Sequence, residues 1–291
     1  MPASWTRARS LAFTLSILAP AACSEGSLTT PGSNDQVTPD VGLTIRDEVE
    51  ATASALTLST TLTPIGTTRT PPSSDPCVGS STPGDSDGDG VPDDATFVFT
   101  APPCQFDGWR GGSVELVGQL RIQDPAPASA GFGYDAALNS LRSRFTNATK
   151  DAIYDVTRDG TRTLSGSVSA LLLTSELVVV RNFAGKPDAT MNEQWTTNYT
   201  PATPLQINGP LNSGTLDISG TITWVRGNEN LSLVITTPTP LEYDASCTDT
   251  VQRIKNGELH AAGRFSDNVD GFIRLRWNGC GRDPSIGFGT E

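Results

Sequence analysis

The chain has one histidine, 20 lysines and arginines, and no long apolar run in its 291 residues. With His260 alone, multi-histidine metal sites are excluded, and any Ser-His-Asp arrangement would have to pass through that single ring. Thirty-two acids set against those 20 bases give a net charge of -12. That balance would repel a phosphate backbone, and the bases form no cluster, so a nucleic-acid partner is not expected. The five cysteines show no C-x-x-C spacing, which argues against a thiolate metal site. Leu171 to Val180 is interrupted by Thr174, Ser175 and Glu176, so it does not qualify as a membrane-spanning helix.

What is present starts with an address. Arg7 and Arg9 precede the apolar run Leu11 to Ala19, and Ala21 and Ala22 follow, the charged, apolar, small-residue order of a secretory signal over residues 1–22. An exported chain tends to pair its thiols, and five is odd. Cys23, directly after Pro20-Ala21-Ala22, resembles the lipidated cysteine of bacterial lipoproteins. The resemblance implies export, cleavage before Cys23, and attachment to the cell envelope, at the outer membrane, through a lipid on that residue. Residues 23–41 have almost nothing to bury and read as a flexible tether.

From residue 42 to 291 the pattern is that of one β-rich domain. Thr44 is expected to cap one short N-terminal helix, with Ile45, Val49, Ala53 and Leu56 at helical spacing and Asp47 and Glu48 in the first turn, where the helix dipole favours acids. The remainder alternates with period two: Leu216, Ile218, Ile222 and Trp224 share one face, and Ile273, Leu275 and Trp277 another. Pairs of glycines six apart recur at Gly112/Gly118, Gly160/Gly166, Gly214/Gly220 and Gly257/Gly263. Glycine inside a strand permits a sharp bend or a close approach, so the fold class expected is mainly β, an antiparallel, strongly curved sheet or barrel-like domain. In the Gly160 copy, Arg162 stands on the face that is apolar in the other three.

The sharpest chemical signal is Asp85-Ser86-Asp87-Gly88-Asp89-Gly90-Val91-Pro92-Asp93. Carboxylates at alternate positions converge on a hard cation, and Gly90 permits the tight turn. The string D-x-D-x-D-G-x-x-D resembles the calcium loops of thrombospondin type 3 repeats and, more loosely, EF-hands. That resemblance implies Asp85, Asp87, Asp89, the Val91 carbonyl and Asp93 as ligands of a stabilising calcium. Thr96 stands where an EF-hand has its bidentate Glu.

Four cysteines allow three pairings. Cys77 with Cys104 would enclose the acidic loop, over residues 77–104, and Cys247 with Cys280 would close the terminal strands, so these sequence-near pairs are expected. Gly131 to Ala136 fits G-x-G-x-x-A but follows no buried strand, and Gly185-Lys186 is followed by Pro187, which excludes a P-loop. His260 alternates onto a polar face beside Glu258, and Glu242 and Asp244 form a same-face acid pair. Three functional classes follow. The first is an envelope protein with a non-catalytic binding or structural β domain; the second is a carrier of an apolar ligand in a curved sheet, with the helix as plug; the third is a carboxylate-based hydrolase.

Overall fold

The computed structural model describes residues 37–56, 78–80, 84–107, 113–146, 152–247, 253–265 and 270–290. The signal segment, Cys23 and Cys77 lie outside them. One helix, α1 (Val37–Ser54), precedes twelve strands: β1 (Val78–Ser80), β2 (Asp94–Asp107), β3 (Ser113–Gln123), β4 (Tyr134–Thr146), β5 (Ala152–Ser167), β6 (Ala170–Arg181), β7 (Ala189–Pro201), β8 (Gly214–Arg226), β9 (Glu229–Tyr243), β10 (Ile254–Arg264), β11 (Asp270–Asn278) and β12 (Ser285–Thr290). They form a single antiparallel sheet in sequence order, each strand paired with its chain neighbours, and the sheet is not closed. The expected fold class is therefore the one observed. No helix among the described residues is long and apolar enough to cross a membrane.

Period-two alternation sets the inner face. Leu171, Leu173, Leu177 and Val179 of β6 are buried while Leu172 and Val178 point outward, and Trp195, Trp224 and Trp277 are almost wholly enclosed. Two glycines show how the sheet bends. Gly118 has φ +114°, and a Cβ there would lie 2.2 Å from the Ser140 carbonyl oxygen, at the point where the β3–β4 register slips. Gly160 has φ +132°, and its Cβ would lie 2.2 Å from the Glu176 carbonyl oxygen on β6. No side chain fits where the neighbouring backbone comes this close, so these glycines let a strand fold over its partner.

The sheet curls around α1. Glu48 bonds Arg158 on β5, and Glu50 accepts a 3.2 Å hydrogen bond from Trp277 Nε1 on β11. Two residues apart on a helix means about 200° of rotation, so β5 and β11 stand on nearly opposite sides of the same helix. Val41, Ile45 and Val49 are completely buried, and so is Glu48.

The helix begins seven residues before Thr44, within the stretch that composition assigns to the tether. Thr44 is no cap: its Oγ1 donates to the Asp40 carbonyl at 2.8 Å, inside the helix. Asp47 and Glu48 consequently sit beyond the first turn, where the dipole has little influence. What stabilises them is a set of cations facing in from the strands. The start at residue 37 is fixed in the same way, because Asp40 pairs with Arg226 and with Lys186.

Candidate functional site

The acid loop lies between β1 and β2. Asp85 accepts hydrogen bonds from Gly88 N (2.8 Å) and Gly90 N (3.0 Å), Asp87 Oδ1 from Asp89 N (3.2 Å), and Asp89 Oδ1 from Val91 N (2.8 Å). Gly90 has φ +90°, the conformation the motif requires of it. As a result one carboxylate oxygen from each of Asp85, Asp87 and Asp89 lies within 4.8 Å of the others. The loop thus brings together the three alternate aspartates. Val91 is buried beside them. Asp93 is placed differently: it takes hydrogen bonds from Ser86 N (3.0 Å) and Ser86 Oγ (2.6 Å), which tie the two ends of the loop. Those bonds hold its carboxyl below the usual range.

Two features of the loop are not in the motif. Asp89 Oδ2 accepts from Gly131 N at 2.9 Å, linking the loop to the β3–β4 connection. Asp124, which directly follows β3, donates its backbone N–H to the carbonyls of Pro92 (3.1 Å) and Asp93 (3.3 Å) and is buried beside the loop. Asp87's carboxyl is raised, first by loss of solvation and then by the negative charges of Asp89, Asp124 and Asp85, against the opposing hydrogen bond from Asp89 N. Among the described residues, no lysine or arginine pairs with Asp85, Asp87, Asp89 or Asp124. Hard oxygen donors with no counter-charge fit an oxygen-preferring divalent ion and no soft metal.

A pocket of about 320 Å³ adjoins the loop. Leu56 from the end of α1, Phe132, Leu164, Leu171 and Leu205 give it an apolar wall, and Asp89 and Asn208 lie at its edge. The Asn208 side chain packs directly over Gly90, where a Cβ would meet its Oδ1 at 2.5 Å.

The interior around α1 is charged. Arg158 grips Glu48 with two hydrogen bonds, Nε to Oε2 at 2.8 Å and Nη2 to Oε1 at 2.6 Å, and Arg162 Nη2 lies 3.6 Å from Glu48 Oε2. Arg181 pairs with Asp47 and donates to the Leu43 carbonyl at 3.0 Å. Burial pushes Glu50 up to about 8, opposed by the Trp277 hydrogen bond and the charge of Arg46. Burial, then the nearby charge of Glu48, pushes Glu193 up to about 8 as well, with Arg162 and Arg158 opposing.

The other candidates resolve into local structure. Glu242 and Asp244 both bond Lys255, each at 3.3 Å. His260 Nε2 is 2.6 Å from Glu258 and its ring stacks on Phe272. The string G-x-S-x-G does occur, at Gly84 to Gly88, yet Ser86 Oγ is bonded to Asp93, no histidine accompanies it, and a strand follows in place of the helix of a nucleophile elbow. Cys247 and Cys280 are joined as expected, with Cα atoms 5.6 Å apart. Cys104 is buried and disulfide-bonded, its partner lying outside the described residues.

No protein-family model, no curated protein and no solved structure matches the chain.

Sequence reasoning missed the inward-facing charges. Arg158 and Glu193 belong to no motif, although Glu193 shares parity with Met191 and Trp195, and Arg162 stands on an otherwise apolar face. It also missed Asp124, which belongs to no motif and meets the loop only through sheet pairing.

Proposed function

We propose that the chain is a cell-envelope lipoprotein of the bacterial kind, exported, cleaved before Cys23 and held to the membrane by a lipid on that residue. Its β domain serves a non-catalytic binding or structural role, and loop 85–93 carries a stabilising calcium. The observation that supports this reading best is the occupied interior. The space enclosed by the sheet, where a groove enzyme would seat its substrate, is filled by α1 and held there by buried ion pairs. Removing one partner of such a pair strands a charge, so the helix behaves as a permanent part of the core. The intact mass of the membrane-extracted protein tests the anchor. The expected mass is that of residues 23–291 plus the acyl groups, and Cys23→Ser should appear in the soluble fraction; an unmodified cysteine in the parent would overturn it.

A second reading, carriage of a small apolar ligand, is favoured by the 320 Å³ pocket at the end of α1. Displacement of a fluorescent fatty acid, abolished by Leu171→Trp, would support it. Absence of probe binding at tens of micromolar would dismiss it.

A further inference from the structure

The segment joining β7 to β8 closes one side of the pocket beyond α1, and Leu205, Gln206, Asn208 and Leu211 line it from there. Its ends are tied down. Ala202 N donates to the Ser213 carbonyl at 2.8 Å, and Asn212 Nδ2 donates to the carbonyls of Thr203 at 3.2 Å and Pro204 at 3.1 Å. Leu205 N donates to the Val168 carbonyl at 2.8 Å, which fixes the segment against the β5–β6 turn. Leu164 and Leu171, on the two strands flanking that turn, line the same pocket. Beyond the lining, these two segments carry Val168 and Ile207, which are 47 % and 43 % exposed. They are two of only five large apolar side chains that stand exposed among the described residues, and Leu205 joins the segments that bear them.

Exposed aliphatic side chains gathered beside an apolar pocket mark a binding surface, where single scattered ones do not. Among the described residues lining the pocket, Asp89 alone is charged, and its carboxylate meets the N–H groups of Val91 and Gly131 and no basic side chain. A ligand carboxylate seated there would give up its water and face a like charge. An alkyl end carries no such cost. At ~30 Å³ for each water-sized group, 320 Å³ holds roughly ten non-hydrogen atoms. We infer that the pocket takes the end of a linear alkyl chain, with roughly ten carbons inside, the following carbons laid over Val168 and Ile207, and any charged head left in water. This rests on the second reading, carriage of a small apolar ligand, and names its class: acyl and alkyl chains entering tail first. A compact ligand of the same volume would fill the pocket and leave both exposed side chains uncovered.

The test is displacement of the fluorescent fatty acid from the full chain by saturated fatty acids from octanoic to tetradecanoic and by the alcohols of the same lengths. Each added carbon should tighten binding about fourfold until roughly ten carbons are inside, and less beyond that. Acid and alcohol of one length should agree within about threefold, because the head stays in water in both. The double change Val168→Ser with Ile207→Ser should weaken tetradecanoic acid about fivefold or more and leave octanoic acid unchanged. Both side chains are exposed, so the variant should melt with the parent. If the parent binds the probe but acid and alcohol of one length differ by about tenfold or more, the head enters the pocket; tail-first entry is overturned and the carrier reading stands. The inference is likewise overturned, with the carrier reading intact, if the double variant binds every length as the parent does. If the parent binds neither probe nor chain at tens of micromolar, the carrier reading and this inference fall together.

Discussion

Around α1, Asp40, Asp47 and Glu48 are buried and each meets an arginine from the sheet: Arg226, Arg181 and Arg158. In the loop, Asp85, Asp87 and Asp89 meet only backbone N–H groups and one another, with Asp124 close by. The same side chains thus stand in two different settings. The interior carries its own counter-charges, which the sheet's curvature brings together, although Glu193 and Arg162 keep buried polar atoms without a hydrogen-bond partner. The loop gathers charge of a single sign, held by backbone N–H groups with no basic side chain paired to it. A net charge of -12 gives no hint of this division, which depends on where the 20 basic residues point.

The largest effect should come from breaking the self-neutralised region. Glu48→Gln leaves Arg158 and Arg162 buried without their partner, and denaturant unfolding should show a loss of about 3–5 kcal/mol. The double change Glu48→Met with Arg158→Met should recover much of that loss. A single change no worse than a surface mutation would mean that the helix does not rely on these pairs.

Acidity separates the two regions further. Glu50 has a folded pKa of about 8 against an ordinary value of 4.5, so the unfolded chain releases the proton first as pH rises. Its contribution is complete below about pH 4.5, shrinks through neutrality, and is lost by about pH 8, a change on the order of a few kcal/mol. Glu50→Gln should lessen the fall in stability across that window, the rest of the fall remaining with Glu193, and urea midpoints at pH 5, 6.5 and 8 measure it. A parent whose stability is unchanged across the three values would contradict the buried, protonated state.

The loop should respond to calcium where the interior does not. Calcium at a hundredfold over its Kd should raise the parent's Tm by roughly 5 °C or more, and the pair Asp87→Asn with Asp89→Asn should lose that rise while melting near the parent in chelator. Smallest of all, Arg121→Ala should leave Tm indistinguishable from the parent's. Its pair with Asp94 is well formed at 2.6 Å, but both side chains are about half exposed.

Strand faces and the Cys247–Cys280 bridge were legible in the sequence because alternation and cysteine spacing are local signals. Leu216, Ile218, Ile222 and Trp224 lie inward as their parity requires, and one glycine of each pair, Gly118, Gly160, Gly220 or Gly257, has positive φ and a close backbone neighbour. The loop's three aspartates converge as their spacing implies. The start of α1 was not legible, because Asp40 is held by Arg226, 186 residues away, and no local pattern shows such a bond. Arg158 and Arg181 likewise carry no local sign of facing inward, because the acids that meet them, Glu48 and Asp47, lie 110 and 134 residues away. Asp124 failed for the same reason, being close to the loop through sheet register and not through sequence.

The strand order carries a consequence for how the chain reaches this state. Twelve strands that each pair with the next can form as a succession of hairpins, which needs little loop closure. The helix is the exception: it comes first in the chain, and its bond to Arg158 spans 110 residues and that to Arg226 spans 186. Its acids must therefore stay hydrated until β5 and β8 have been made, and Glu50 waits longer still, for β11. The helix that fills the centre of the finished protein thus draws its partners from strands spread over most of the chain, the last of them β11 through Trp277.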